Sequence, residues 1–334
     1  MQKNQIIALV IVGVLVLFSL IAGNLSTNED SSIMNAEGTL PPLREVTLEG
    51  KGMNKIAVIP ITGVIDEETT DPLDVFGTSS FSLSMIQRAL KQAEKDDTVK
   101  ALILKVNSPG GSVVVSDAIY RALIRFKERS TKPVVVSMGT VAASGGYYIS
   151  LAADKIIAYP DTLTGSIGVI MTLPNYGALA KTIGYEEVIF KSGPLKDMGD
   201  PLQPVSEEAR QAFQSIIDET FAHFVSLVSE RRHMTREEVL DIATGAVYTG
   251  SQALRFGLID DLGDFERAIV EAKSLAELDE ARLVEYREKK KNTFLPDWLE
   301  SLMAPQDEPF SRLAHSLDKL LVHERSPKLW YIWR

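Results

Sequence analysis

Three short segments hold the residues best suited to covalent chemistry. The first, Asn107-Ser108-Pro109-Gly110-Gly111-Ser112, lies where a strand-like run gives way to a helical one. Taken alone it reads as a tight turn between a strand and a helix. Its chemical reading is that the glycines let backbone N–H groups face a developing oxyanion with no side chain in the way. A helix N-terminus just beyond would favour the negative charge.

The second segment is Thr140-Val141-Ala142-Ala143-Ser144-Gly145-Gly146-Tyr147-Tyr148. A serine flanked by small residues can be approached closely by a carbonyl carbon, and the N–H of Gly145 would supply a second oxyanion donor. Close helix packing explains the same run of small residues without chemistry. The nucleophile-elbow pattern Gly-x-Ser-x-Gly does not occur, which disfavours an α/β-hydrolase fold. The third segment is Phe190-Lys191-Ser192-Gly193-Pro194-Leu195-Lys196-Asp197-Met198. A serine needs a base to take its proton. The four histidines (His223, His233, His315 and His323) all lie in the second half of the chain, away from the strand–helix region that holds Ser144. A lysine can serve if burial disfavours its charged form. Lys196 is the candidate base and Lys191 the reserve; the alternative is a solvated loop charge.

Positioning these groups falls to an alternation of strands and helices. Strand patterns run over Lys55–Ile65, Ala101–Val106, Pro133–Ser137, Lys155–Ala158 and Glu187–Phe190. Helical periodicity runs from Ser82 to Ala93 and from Val113 to Lys127, where Val115, Ile119, Leu123 and Phe126 share a face. Such alternation predicts an α/β fold of βαβ units with helices covering the sheet. Further on, Ser206 caps a helix with Phe213, Ile217, Phe221, Phe224 and Val228 as its buried stripe. Thr235-x-x-Glu238 is a capping box for the next. Beyond residue 280, Leu295–Leu302 and Arg312–Leu321 resemble short amphipathic helices, and the aromatic run Leu329-Trp330-Tyr331-Ile332-Trp333 stands just before the final Arg334.

The 334 residues carry a net charge of −10, which argues against nucleic acid as a partner. There is no cysteine, so disulfides, thiol nucleophiles and Cys-zinc sites are excluded. No histidine pair has a metal-ligand spacing, and the chemistry above calls for no metal or organic cofactor. Ile6 to Ala22 is uncharged and almost wholly apolar, enough for about 26 Å of helix. It is long for the core of a cleavable signal peptide, and Ile21-Ala22-Gly23 is a poor cleavage site. A retained anchor over residues 1–23 is therefore expected. Lys3 on one flank and Glu29-Asp30 on the other would keep the N-terminus in the cytoplasm and place the remainder outside. This gives a single-pass protein of the cell membrane. The expected organisation continues with a linker over 24–52, a catalytic domain over 53–280 and a helical extension with its tail over 281–334.

Taken in order, Ser108–Ser112, Ala142–Tyr148, Thr164-Gly165-Ser166-Ile167-Gly168, Lys191–Asp197 and Tyr248–Asp260 resemble the signal peptide peptidase A family, in its short single-domain Gram-positive form. The likeness covers residues 54–275. It implies a ClpP/crotonase-like fold of repeated ββα units, with Ser144 as nucleophile and Lys196 as general base. It also implies Gly111 and Gly145 as the oxyanion donors. The wider ClpP family uses a histidine where this chain reads Tyr159-Pro160-Asp161-Thr162-Leu163-Thr164-Gly165-Ser166-Ile167-Gly168. That departure favours a Ser/Lys dyad over a Ser-His-Asp triad. Crotonase-type acyl-CoA enzymes share the fold and paired oxyanion donors but need neither the serine nor the lysine.

The resemblance further implies a homo-oligomeric ring or dome with Ser144 and Lys196 drawn from neighbouring subunits. Its expected substrates are remnant signal peptides and other hydrophobic peptides. Two alternatives stay open: a membrane protease with one specific membrane-protein substrate, and an inactive peptide-binding ring scaffold. The aromatic C-terminus is expected either to occupy a neighbour's substrate groove as a self-product or to pack on its own domain or the membrane.

Overall fold

The computed structural model describes residues 42–66, 83–288 and 329–333. The expected membrane segment Ile6–Ala22 and the amphipathic stretches at 295–302 and 312–321 lie outside these residues. Among the described residues no helix is long and apolar enough to cross a membrane.

Parallel strands buried on both faces need near-continuous apolar runs, and the chain supplies them. Strands β2 (Lys55–Thr62), β3 (Val99–Ser108) and β5 (Val134–Ala143) are consecutive neighbours, all parallel. Strand β6 (Lys155–Ala158) continues the parallel array on the far side of β5, and β9 (Asp261–Leu262) follows it. Strand β4 (Gly110–Ser112) leaves this array directly after β3. Strand β7 (Leu163–Gly165) pairs with the last residues of β5, and β8 (Val247–Thr249) pairs antiparallel with β7.

Helix α1 (Leu83–Lys95) packs on α2 (Val113–Ser130), with Ile86, Leu90, Ile119 and Leu123 fully or nearly fully buried. The short α3 (Gly145–Ser150) follows β5 and is buried throughout. Next come α4 (Gly177–Thr182), α5 (Glu207–Arg232), α6 (Arg236–Ile242) and α7 (Gly250–Arg255). Helix α8 (Phe265–Leu275) lays Ala268, Ile269 and Ala272 on Ile56, Ile103, Val135 and Ile157. The expected caps are in place. Ser206 accepts from the Ala209 N–H, and Thr235 and Glu238 form a reciprocal capping box.

The sheet outruns the expected domain limits at both ends. Strand β1 (Arg44–Glu49), inside the stretch read as linker, pairs antiparallel with β10 (Arg282–Arg287), inside the stretch read as extension. β10 in turn runs parallel to β2. The charged alternation of β1 hides a solvated edge strand, whose pairing comes from a partner more than 230 positions away. The strand expected at Glu187–Phe190 is not one. Those residues are irregular, and Phe190 is 94 % exposed. Its apolar run lacks a strand partner among the described residues. The tail, in contrast, forms β11 (Trp330–Ile332) against β4.

Candidate active site

The carboxyl ends of neighbouring parallel strands open a crevice where ligands commonly bind, and β3 and β5 deliver the first two candidate segments there. Ser108 at the end of β3 lies beside Ala142 near the end of β5. Beyond that point both chains turn sharply, each through a positive φ. Gly110 has φ 99° and Ser144 has φ 53° with ψ −112°. For a serine this is a strained conformation, the kind that functional sites hold at about 1–3 kcal/mol. The surroundings fix it. The Ser144 N–H donates to the Gly165 carbonyl at 2.8 Å, and the Ser144 carbonyl accepts from the Tyr148 N–H at 2.8 Å. Ser144 is 1 % exposed.

The small residues around Ser144 satisfy packing and chemistry together. A Cβ on Gly146 would stand 2.8 Å from the Ser108 carbonyl oxygen, and one on Gly145 would stand 2.6 Å from Ser116 Oγ. A Cβ on Gly111 would stand 1.8 Å from the Ile65 carbonyl oxygen. At Gly110 it would meet the Tyr331 carbonyl oxygen at 2.0 Å and the Gly145 nitrogen at 2.6 Å. Only glycine allows these backbones to come so close.

What comes close is the chain's own tail. Tyr331 lies opposite Gly111, and on either side Val113 N–H donates to the Leu329 carbonyl and Trp333 N–H to the Pro109 carbonyl. Hydrogen-bonded pairs alternate along an antiparallel ladder, so Tyr331 and Gly111 form the bonded pair between those two. The Gly111 N–H thus points at the Tyr331 carbonyl oxygen. That oxygen is also 3.0 Å from where a Gly145 Cβ would sit, and the Gly111 nitrogen is 3.1 Å from the same point. On its other edge the tail exchanges two 3.1 Å hydrogen bonds with Ile170. Residues 329–333 are therefore held as an extended strand between two backbone edges, with the Tyr331 carbonyl facing the Gly111 N–H and lying close to Gly145. The occupied groove belongs to the same chain.

The structure brings together Gly111, Ser144 and Gly145; it does not bring Lys196 to them. Lys196 sits on a turn, its side chain exposed, and among the described residues its ammonium makes no hydrogen bond or ion pair. The burial expected of it as a base is not present within one chain. Lys191 is engaged elsewhere. Its ammonium bonds both Asp197 carboxylate oxygens at 2.8 Å, bridging the loop and holding the Asp197 carboxyl below its usual range. Groups that motif reading passed over lie beside the tail, on α5. Phe224 and the Thr220 carbonyl contact Tyr331. Phe224 is legible in the sequence only as one member of a core stripe.

Comparison with known proteins agrees with this fold. A Clp protease profile matches residues 78–164, and a profile for Peptidase family S49 matches residues 126–279. The class defined by fold and site is a serine protease with a Clp-like α/β architecture. A protein of Enterococcus faecium, provisionally named signal peptide peptidase SppA, is 35 % identical over 263 residues, 78 % of this chain and 75 % of that protein. Protease 4 of Salmonella typhi is 40 % identical over 233 residues, 70 % of this chain and 36 % of that protein. The chloroplastic serine protease SPPA of Arabidopsis thaliana is 32 % identical over 275 residues, 82 % of this chain and 40 % of that protein. The chain belongs to peptidase family S49, in its signal peptide peptidase A group.

Proposed function

We propose that this chain is a membrane-anchored endopeptidase that cuts remnant signal peptides and other hydrophobic peptides outside the cytoplasm, using Ser144 as nucleophile and Lys196 as base. The observation that carries the reading is the tail's geometry. An extended peptide lies between two backbone edges, with one carbonyl oxygen facing the Gly111 N–H and packed close to Gly145. In the proposed reaction Ser144 Oγ adds to the carbonyl carbon while its proton passes to the Lys196 amine. The two glycine N–H groups stabilise the oxyanion, a contribution of about 10²–10³ in rate for one donor in comparable sites. Collapse expels the amine of the distal peptide, which takes the proton from Lys196 and leaves a Ser144 ester. Water, deprotonated by Lys196, then releases the acid.

Apolar substrates suit the groove. Beside Ile332 and Trp333 opens a cavity of about 510 Å³ lined by Ile167, Val169, Ile170 and Phe221 among others. A homo-oligomer suits the loop. Phe190, Val188 and Ile183 stand exposed on the segment leading to Lys196, and a second subunit covering them would desolvate that lysine and favour its neutral, basic form. The proposed site is thus shared, with Ser144 from one subunit and Lys196 from its neighbour. The test is cleavage of an apolar fluorogenic peptide by the full-length protein and by Ser144→Ala and Lys196→Ala. Wild type should cut, and each variant should lose at least about a thousandfold while keeping its melting temperature. Inert wild-type protein, with Ser144 resistant to acylating reagents, would favour a peptide-binding scaffold instead.

A further inference from the structure

One hydroxyl beside the proposed site stands idle. Ser116, in the first turn of α2, is fully buried, and among the described residues its Oγ has no hydrogen-bond partner. Helical serines and threonines commonly return the hydroxyl to the carbonyl four residues back. Elsewhere in this chain they do so. Ser130 donates to the Phe126 carbonyl at 2.7 Å, Ser150 to Gly146 at 2.7 Å and Thr220 to Ile216 at 2.8 Å. A buried hydroxyl left unpaired costs about 1–3 kcal/mol, a cost that alanine would avoid at nearly the same volume. Such a group calls for an explanation in its surroundings.

Those surroundings are the oxyanion side of the groove. The point where a Gly145 Cβ would stand is 2.6 Å from Ser116 Oγ, 3.0 Å from the Tyr331 carbonyl oxygen and 3.1 Å from the Gly111 nitrogen. The idle hydroxyl, the peptide oxygen in the groove and the first proposed oxyanion donor therefore surround one small space, which the missing Gly145 side chain leaves open. While the planar amide of the tail lies there, Ser116 gives its oxygen no hydrogen bond. Addition of Ser144 Oγ would make that carbon tetrahedral, shift its oxygen and place a negative charge on it. A hydroxyl rotates to suit its acceptor, and a bond to a charged acceptor is about twice as strong as a neutral one.

Resting on the protease reading, we infer that Ser116 Oγ is a further oxyanion donor, engaged in the transition state and idle while substrate is merely bound. Its proton stays on Ser116 throughout, and it forms no covalent bond. A contact made only in the transition state raises kcat without tightening the ground state. The turn of α2 that buries Val115 in the core thus also carries a hydroxyl to the reacting oxygen.

Three measurements on the full-length protein, wild type against Ser116→Ala, test it. In cleavage of an apolar fluorogenic peptide, kcat and kcat/KM should both fall by about tenfold to a hundredfold, with KM unmoved. An aldehyde of the same peptide, to which the Ser144 hydroxyl adds to give a tetrahedral adduct, should inhibit more weakly by a similar factor. The melting temperature should equal or exceed that of wild type, because no native hydrogen bond is lost. An unchanged kcat, or a loss carried by KM, overturns the assignment. A lowered melting temperature with unchanged kcat would make Ser116 a packing residue. Wild-type protein that neither cuts the peptide nor binds the aldehyde would remove the protease reading and this donor with it. Active wild type matched by an equally active Ser116→Ala would remove the donor alone.

Discussion

The two halves of the proposed catalytic machinery are built in opposite ways. The serine half is locked. Ser144, Gly111 and Gly145 sit at the ends of buried parallel strands, in backbone conformations that their neighbours over-determine. The lysine half is an irregular, exposed loop, bridged by one surface ion pair between Lys191 and Asp197. An oxyanion hole must be preorganised before charge develops, so it belongs on rigid elements. A base that acts through its desolvated form can be completed later, by whatever surface comes to cover it. The difference separates what one chain folds by itself from what an assembly would have to finish.

That contrast can be broken most severely at Gly111. Gly111→Ala should lose at least about a hundredfold in peptide cleavage and also lower the melting temperature by several degrees, because the new Cβ meets the Ile65 backbone. Lys196→Ala should lose activity with an unchanged melting temperature. If both variants proved equally stable, the serine half would not be the tightly determined one.

A smaller effect sharpens the same contrast. Deleting residues 326–334 should raise peptidase activity severalfold, since β11 occupies the groove beside Ser144. Unchanged turnover of a short peptide would mean that substrate displaces the tail at no cost.

The smallest effect lies far from the site, at the opposite, amino-terminal end of β2 and β3. Burial alone would raise the Asp96 carboxyl, but hydrogen bonds from Thr98 and the Lys55 ammonium outweigh it and bring the carboxyl down to about 2. Its folded value is thus below its unfolded one, so the stabilisation is present above about pH 4. It is lost as the pH falls through about 2. Asp96→Asn should flatten the decline of melting temperature across that window and leave cleavage at neutral pH untouched. An unaltered acid profile would show that Asp96 adds nothing measurable.

How much of this was legible in the sequence follows the same division. The β-branched runs of β2, β3 and β5 announce buried parallel strands, and the small-residue segments mark Ser144 and its glycines because packing and chemistry both demand them. Val188, Ile189 and Phe190 look like a buried strand to any reading of periodicity, yet they lie exposed, with no strand partner among the described residues. Strand β1 was hidden for the opposite reason, since an edge strand can alternate charged residues and still pair. Tyr331 and Thr220 meet across 111 positions, and neither carries a local pattern that signals the contact.

The central claim, that the rigid half of one chain is completed by the loop of another, is tested most directly by mixing. Full-length Ser144→Ala and Lys196→Ala proteins, each inactive alone, would be combined in equal amounts under conditions that allow subunit exchange, and cleavage of the apolar peptide followed. A shared site should recover about a quarter of the wild-type rate, because in a closed ring that fraction of interfaces joins an intact serine to an intact lysine. A mixture as inactive as its components, despite demonstrated exchange, would place serine and base in the same chain and contradict the account.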